Sequence, residues 1–201
     1  MVLGEMDWVI RLENGIKYGY NITKCMFSAG NINERRRMGK IVTSGESIVD
    51  LYAGIGYYTL PILANSLTKH VFACEWNENA ISALRRNLQI NNIDETRCSI
   101  FEGDNRITTN QISGVADRVI LGLLPSSFDG FSPALRVLKD DGGILHIHGL
   151  GMAKNHEKWA SEIEERLTVN NYKINRIGLI KIKSHSPHWD HLVLDLKLEK
   201  K

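Results

Sequence analysis

The chain has 201 residues, of which 43% are hydrophobic, 24% charged and 7% aromatic, and its formal net charge is +2. These proportions are typical of a globular domain and exclude collagen, coiled-coil and disordered chains. No stretch approaches the ~18 apolar residues of a membrane helix, and the first ten residues lack the basic-then-apolar order of a signal peptide. The three cysteines are widely spaced, as expected of a reduced, cytoplasmic protein.

The first predicted element is a β-hairpin, in which residues 8–12 and 16–20 flank Asn14-Gly15, because both turn residues tolerate a positive φ. Strand-like and helix-like runs then alternate. Strands are predicted at 47–51, 70–75, 98–102, 117–124 and 143–148, and helices at 60–67, after Asn77 and at 154–167. Two late strands, 172–183 and 191–198, flank a predicted loop at 184–189.

This alternation predicts an α/β fold, a mostly parallel sheet with helices on both faces. The closing pair of strands has no helix between them, so we expect an antiparallel edge. Ligands of such sheets bind beyond the carboxyl ends of the strands. The sequence motifs that suggest binding or catalysis lie at those ends.

A glycine turn, Gly54-Ile55-Gly56, follows the first core strand and opens a helix. A dinucleotide-binding turn has the motif G-x-G-x-x-G, whose third glycine is replaced here by Thr59. Asp50, directly before the turn, would repel a pyrophosphate but would accept a cationic, phosphate-free nucleoside. The turn therefore favours S-adenosylmethionine (SAM) over NAD.

Three polar side chains end the next two strands. Glu75 lies 21 residues after Gly54, where a carboxylate accepts hydrogen bonds from ribose hydroxyls. Asp104 and Asn105 end the third strand, where they could bond the adenine edge. Each feature alone is typical of a turn or a helix cap. The glycine turn, Glu75 and the Asp104-Asn105 pair each lie at the carboxyl end of a strand, and together they predict a SAM site.

The fourth strand ends in Leu121-Gly122-Leu123-Leu124-Pro125, where the transferred group would meet its acceptor. Enzymes that methylate exocyclic amines usually need Asn or Asp before this Pro to orient the amine. The absence of such a side chain disfavours amine methylation, although a plain Pro-containing turn fits nearly as well.

Taken together, the motifs resemble those of the wybutosine-synthesising tRNA aminocarboxypropyltransferases, a branch of the class I SAM-dependent methyltransferase-like (Rossmann-like) fold. The resemblance covers nearly the whole chain. It is carried by TKCMFSAGN at 23–31, DLYAGIGY at 50–57, ACEWN at 73–77, GDNR at 103–106, LGLLPSS at 121–127, GGILHIH at 142–148 and PHWDH at 187–191.

The resemblance implies that SAM donates its 3-amino-3-carboxypropyl group to a tricyclic guanosine derivative at position 37 of phenylalanine tRNA, in the anticodon loop. Methylthioadenosine leaves, and no metal takes part. It implies that Ser28 and Arg35 contact the donor, with Gly54, Glu75, Asp104 and Asn105 holding its nucleoside. Glu34 matches the general base proposed for the sister family, the tRNA guanosine N1-methyltransferases, and is the expected catalytic residue.

Two departures from that sister family favour the aminocarboxypropyl branch: Gly30 where it carries Arg, and Leu123-Leu124-Pro125 where it carries Asn-Leu-Pro. Relatives often have a further N-terminal domain, so we expect this chain to be truncated. We expect a hairpin and contact segment at 1–40 and the catalytic domain at 41–201. An RNA methyltransferase and a non-catalytic RNA-binding module of the same fold are the alternatives.

Basic residues predict RNA contacts in three groups. Tyr57, Tyr58 and Trp189 are candidates for stacking on an extruded base, and the same rings could equally be packing residues. His146 and His148 share a strand face, and we expect buried, hydrogen-bonded imidazoles rather than metal ligands. The basic groups are Lys24, Arg35, Arg36, Arg37 and Lys40; Arg85 and Arg86; and Lys181, Lys183, His185 and His188.

Overall fold

The computed structural model describes residues 7–168 and 172–201. They form nine strands and six α-helices. The strands are β1 (Trp8–Glu13), β2 (Ile16–Asn21), β3 (Ser47–Asp50), β4 (His70–Glu75), β5 (Cys98–Glu102), β6 (Arg118–Leu121), β7 (Gly142–Met152), β8 (Tyr172–Ser186) and β9 (Trp189–Lys200). The helices are α1 (Ile32–Ile41), α2 (Thr59–Asn65), α3 (Glu78–Ile90), α4 (Asn105–Thr108), α5 (Phe131–Val137) and α6 (His156–Leu167).

Seven strands form one sheet in the order β5-β4-β3-β6-β7-β9-β8. The five strands from β5 to β7 are parallel to their neighbours, and β9 pairs antiparallel with both β7 and β8. The predicted parallel sheet with an antiparallel edge is confirmed. The order reverses beside β3, so a crevice opens at its carboxyl end.

Apolar residues cover both faces of the sheet. One core joins the hairpin and the helices α1, α2 and α3 to the strands, and a second core joins α5 and α6 to the opposite face. Strand β6 is buried along its whole length, as its apolar sequence predicts.

The β1–β2 hairpin is a separate two-stranded sheet that packs on α3. The buried Asn87 of α3 connects it to the glycine turn. Its Oδ1 accepts from the Gly19 amide at 2.7 Å, and its Nδ2 donates to the Ile55 carbonyl at 3.0 Å. A hairpin outside the main sheet therefore helps to fix the loop at its centre.

Two predicted boundaries were wrong, and a third is untested. The fourth strand ends at Leu121 rather than 124, because the next residues turn away to line a cavity. The predicted loop at 184–189 is mostly strand, with only Pro187 and His188 in the turn. The expected division at residue 40 stays a prediction; α1 ends one residue beyond it, and residues 1–6 lie outside the described part.

Candidate active site

A cavity of about 620 Å³ opens at the carboxyl ends of β3, β4, β5 and β6. This volume is in the range of small-molecule sites. All the residues expected to bind the donor line it, although they come from five separate segments of the chain. They are Ser28, Arg35, Gly54, Glu75, Asp104 and Asn105.

The glycine turn needs its glycines. Gly54 and Gly56 have φ values of 56° and 98°, which side-chain-bearing residues rarely adopt. A Cβ on Gly56 would also lie 2.7 Å from the Leu60 side chain and 2.8 Å from that of Leu84. The backbone at this turn therefore lies too close to α2 and α3 to leave room for a side chain at Gly56.

Glu75 organises the end of the cavity beside the glycine turn. Its Oε2 accepts from the Gly54 amide at 2.7 Å, and its Oε1 accepts from the amides of Trp76 and Asn77 at 2.9 and 2.8 Å. A carboxylate has about four lone-pair sites. Glu75 thus holds the turn and keeps capacity for about one further donor.

Asp104 and Asn105 begin helix α4 at the same end. Asp104 caps it by accepting from the Arg106 amide at 2.9 Å, and its carboxylate also pairs with the exposed Arg106 side chain. Asn105 is buried and donates to the Leu51 carbonyl at 2.8 Å. Both residues line the cavity. Asp104 also caps α4, and Asn105 also joins α4 to the segment after β3.

Trp76 follows Glu75 on the cavity wall, and its side chain is 78% exposed. Sequence reasoning did not assign it a role. The signal available in the sequence was its position directly after Glu75, because an exposed aromatic ring there offers a flat surface to a purine.

Asp50 does not line the cavity. It is fully buried beneath the glycine turn and accepts from the Thr59 hydroxyl at 2.9 Å. Burial raises its pKa to about 7. Asp50 is therefore not in contact with the cavity, and its raised pKa weakens the charge effect that the sequence led us to expect near neutral pH.

The opposite end of the cavity carries positive charge. Lys183, from β8, donates to the Ser28 hydroxyl at 2.7 Å, and both residues line the cavity. The sequence placed Lys183 only among the RNA-binding residues. Lys183 lies at the cavity because the β8–β9 register pairs it with His191, which also lines the cavity.

Arg35 reaches the cavity with its guanidinium already paired. Nε and Nη2 bond the Glu13 carboxylate at 2.5 and 2.7 Å, and Nη2 also donates to the Ser28 carbonyl at 3.0 Å. Arg37 is paired in the same way, with Glu34 and Asp195. The RNA-binding role predicted for Arg35 and Arg37 stays a prediction, although both side chains are held in ion pairs within the protein.

Glu34 is buried and is not among the described residues that line the cavity. Arg37 binds both of its carboxylate oxygens at 2.7 Å. Its Oε1 lies 4.0 Å from Nε2 of His148. Glu34 therefore has no direct contact with a ligand in the cavity.

The wall at the end of β6 is formed by Gly122, Leu123 and Leu124. A Cβ on Gly122 would lie 2.9 Å from the Tyr58 ring. The nearby Ser127 hydroxyl is within 3.1 Å of three backbone carbonyls, those of Leu121, Leu123 and His148. These three residues carry no carboxylate or amide side chain that could orient an amine, and the nearest carboxylate along the chain that lines the cavity is that of Asp129.

The rings named for stacking differ in position. Tyr57 and Tyr58 line the cavity, and Tyr58 is buried. Trp189, 45% exposed at the β8–β9 turn, is not among the described residues lining it. The buried His146 bonds Asp195 at 2.6 Å and Arg118 at 2.8 Å, which confirms the expected hydrogen-bonded imidazole.

Among the described residues, no cluster of His, Cys, Asp or Glu is arranged to hold a metal ion. In the same part of the chain, no helix is long and apolar enough to cross a membrane.

The sheet order and the cavity at its switch point define an α/β domain of the class I SAM-dependent methyltransferase type. Residues 9–175 match the TRM5/TYW2 methyltransferase domain. The chain belongs to this family.

Curated relatives are similar over almost all of this chain. The tRNA wybutosine-synthesizing protein 2/3/4 of Arabidopsis thaliana is 43% identical over 98% of the chain, which is 20% of that protein. The tRNA wybutosine-synthesizing protein 2 homolog of Danio rerio is 41% identical over 98% of the chain and 57% of that protein. The chain thus spans between a fifth and just over half of these relatives.

Solved structures are also similar over almost the whole of this chain. M. jannaschii TYW2 in complex with AdoMet has a TM-score of 0.90 and 32% identity, covering 100% of this chain and 90% of that one. The M. jannaschii tRNA m1G37 methyltransferase has a TM-score of 0.82 and 26% identity, covering 97% and 58%. The predicted fold and family are confirmed.

Proposed function

We propose that this chain is the catalytic domain of a cytoplasmic tRNA aminocarboxypropyltransferase. It transfers the 3-amino-3-carboxypropyl group of SAM to the tricyclic guanosine derivative at position 37 of phenylalanine tRNA and releases methylthioadenosine. The observation that carries the proposal is the division of one cavity into a nucleoside end at Glu75 and a cationic end at Lys183. Relatives named for wybutosine synthesis support the same reaction.

The side chains present fit SAM at both ends. Glu75 has capacity for a ribose hydroxyl beside the glycine turn, with Asp104 and Asn105 on the adenine side. Lys183 and Ser28 offer a cation and a hydroxyl to the methionine carboxylate. Arg35 supports Ser28 from behind, since its charge is shared with Glu13.

The reaction needs little chemical assistance, because a sulfonium is already a good leaving group and each of its three carbons is electrophilic. The protein's task is therefore positioning. A carboxylate held at Lys183 fixes the carboxypropyl chain along the wall formed by Gly122 and Leu123. That wall is apolar and suits a carbon nucleophile on a flat ring system better than an amine.

The RNA is bound by basic side chains outside the cavity. Of the predicted groups, Lys24, Arg36 and Lys40 are exposed and precede β3. Arg85 and Lys181 are exposed as well, and they form ion pairs with Glu102 and Asp190. Such contacts bring salt-dependent affinity without sequence information.

Donor SAM labelled in the methyl group or in the carboxypropyl chain tests the proposal. The chain is incubated with tRNA that carries the tricyclic precursor, and label in the RNA is counted. We expect transfer from the carboxypropyl-labelled donor only. Transfer of the methyl label would identify an RNA methyltransferase, and binding of SAM without any transfer would identify a non-catalytic module.

A further inference from the structure

A second cavity, of about 300 Å³, lies between the hairpin turn, α1 and α2. Its volume is at the lower end of the range of small-molecule sites. Arg35 lines both this cavity and the main one. The second cavity therefore adjoins the proposed donor site but is built from other elements.

Close packing fixes the walls of this cavity. A Cβ on Gly39 of α1 would lie 2.7 Å from the Pro61 carbonyl oxygen of α2. The side-chain amide of Asn65, also on α2, donates to that carbonyl at 3.0 Å. On the third side, the side-chain amide of Asn14 in the hairpin turn donates to the Ile32 carbonyl at 3.4 Å. Backbone packing and local hydrogen bonds thus form the cavity before any ligand enters.

The buried end of the cavity is electrically balanced. Glu13 is the one acidic residue among the described residues that line it. Its carboxylate is bound by both Arg35 nitrogens, and the half-exposed Arg11 lies 3.7 Å from it. Because this carboxylate is already neutralised, it does not repel an anion from the cavity.

The mouth of the cavity carries two cations, Arg36 and Lys40, which are exposed one helical turn apart on α1. Within residues 7–168 and 172–201, neither side chain has an ion-pair partner, whereas their neighbours Arg35 and Arg37 both do. Like charges four residues apart on a helix repel each other. An anion held between the two side chains removes that repulsion.

Neutral hydrogen-bond donors complete the lining. Asn14 and Asn65 both line the cavity, and each uses one hydrogen of its side-chain amide on a backbone carbonyl. A side-chain amide has two such hydrogens, so each keeps one. Cations at the mouth and amide donors on the walls match the several acceptor oxygens of a phosphate group.

We infer that this second cavity binds a phosphate group, held by Arg36 and Lys40 with Asn14 and Asn65 as further donors. The phosphate belongs either to the backbone of bound RNA or to free phosphate or a nucleotide. The shared Arg35 favours RNA, because an RNA whose acceptor base enters the main cavity has its backbone close to the second. That choice of source rests on the proposed function, whereas the phosphate site itself does not.

Calorimetry with inorganic pyrophosphate, at constant ionic strength, tests the site itself. The unaltered chain is compared with the double variant Arg36→Met and Lys40→Met. We expect the Kd for pyrophosphate to rise by at least about tenfold, because two charge-assisted contacts are lost. Lys183→Met removes the cation of the main cavity and should leave this Kd within about twofold. Each single substitution at the second cavity should give an intermediate Kd and serves where the double variant does not fold.

The matched control removes the same charge elsewhere. Lys69 and Lys173 are both exposed, and they lie at the starts of β4 and β8. These strand starts are at the edge of the sheet opposite the main cavity. The double variant Lys69→Met and Lys173→Met should bind pyrophosphate as the unaltered chain does. Equal weakening in this control would show an effect of net charge alone and would overturn the inference.

Binding of tRNA at several salt concentrations identifies the source of the phosphate. If it belongs to RNA, the Arg36 and Lys40 double variant should bind tRNA more weakly, and pyrophosphate should compete with tRNA. The slope of log Kd against log salt should then fall by roughly 1 to 2, for two lost cations. Unchanged tRNA binding, together with the loss of pyrophosphate affinity, would assign the site to free phosphate or a nucleotide.

The remaining outcomes separate this inference from the proposed function. If the double variant binds pyrophosphate as tightly as the unaltered chain, or if the unaltered chain does not bind it, the phosphate site is overturned whatever happens to tRNA. An unaltered chain that moves no carboxypropyl label overturns the proposed function instead. Loss of pyrophosphate affinity in the double variant would still support the second site in that case.

Discussion

The guanidinium of Arg35 and the carboxylate of Glu13 form a two-point ion pair at 2.5 and 2.7 Å, with both side chains 2% exposed. Glu13 ends the first strand of the hairpin and Arg35 belongs to α1. Arg35 lies between the main cavity and a second one of about 300 Å³. The pair therefore fixes the hairpin to the helix that carries Glu34.

Removing one partner of this pair should destabilise the fold. Arg35→Met leaves the buried Glu13 with only the half-exposed Arg11, 3.7 Å away, and removing one partner of a buried pair typically costs roughly 3–5 kcal/mol. Urea unfolding measures the loss, and the double variant with Glu13→Leu should recover most of it. Arg36→Met, on the exposed neighbour, should change the free energy of unfolding by less than about 0.5 kcal/mol. Equal losses in the two single arginine variants would refute a buried ion pair.

Glu75 should determine the affinity for SAM. Glu75→Ala removes the acceptor for ribose and for three backbone amides of the turn, so the affinity should fall by at least about 100-fold. Calorimetry measures the Kd. Glu102→Ala is the matched control, because Glu102 ends the adjacent strand beside Glu75 and, within residues 7–168 and 172–201, its ion pair is with the exposed Arg85. Unchanged SAM binding by Glu75→Ala would show that the donor lies elsewhere.

Lys183 should distinguish the donor from its product. Lys183→Met removes the cation expected at the methionine carboxylate, so SAM should bind about tenfold or more weakly. Methylthioadenosine lacks that carboxylate, and its Kd should not change. Lys181→Met, two residues earlier, removes a lysine paired with Asp190 and should affect neither ligand. Equal weakening of both ligands by Lys183→Met would instead indicate a general disturbance of the cavity.

The residues proposed to bind the nucleoside could be predicted because the sequence signals that mark them are local. Gly54 sits in a turn whose φ requires glycine, and Glu75 ends a strand that its apolar residues make evident. The residues at the cationic end could not be predicted in this way. Lys183 and His191 depend on the register of two late strands, and that pairing shifts at three irregular positions. A one-residue change of register would point each side chain to the other face.

Helix α1 shows a second limit. Its buried face includes Glu34 and Arg35 in place of apolar residues, so the usual 3.6-residue hydrophobic pattern is weak. Their partners, Arg37, Glu13 and His148, lie on three different elements. Only the assembled fold shows that these charges are paired within the protein.

The stability of the fold should depend on acidity through Asp195. Although burial alone would raise it, hydrogen bonds from His146 and Arg37 lower the pKa of Asp195 from 3.8 to about 2. A carboxyl whose pKa is lower in the folded state stabilises above its unfolded pKa, and this contribution disappears as the pH falls through the folded value. Burial lowers the pKa of His146, and its hydrogen bond to Asp195 opposes that shift. We expect the stability difference between the unaltered chain and Asp195→Asn to be constant above about pH 5 and to shrink by roughly 2 kcal/mol on acidification towards pH 2. Denaturant titrations at several pH values measure it, and a difference that grew in acid would contradict the assignment.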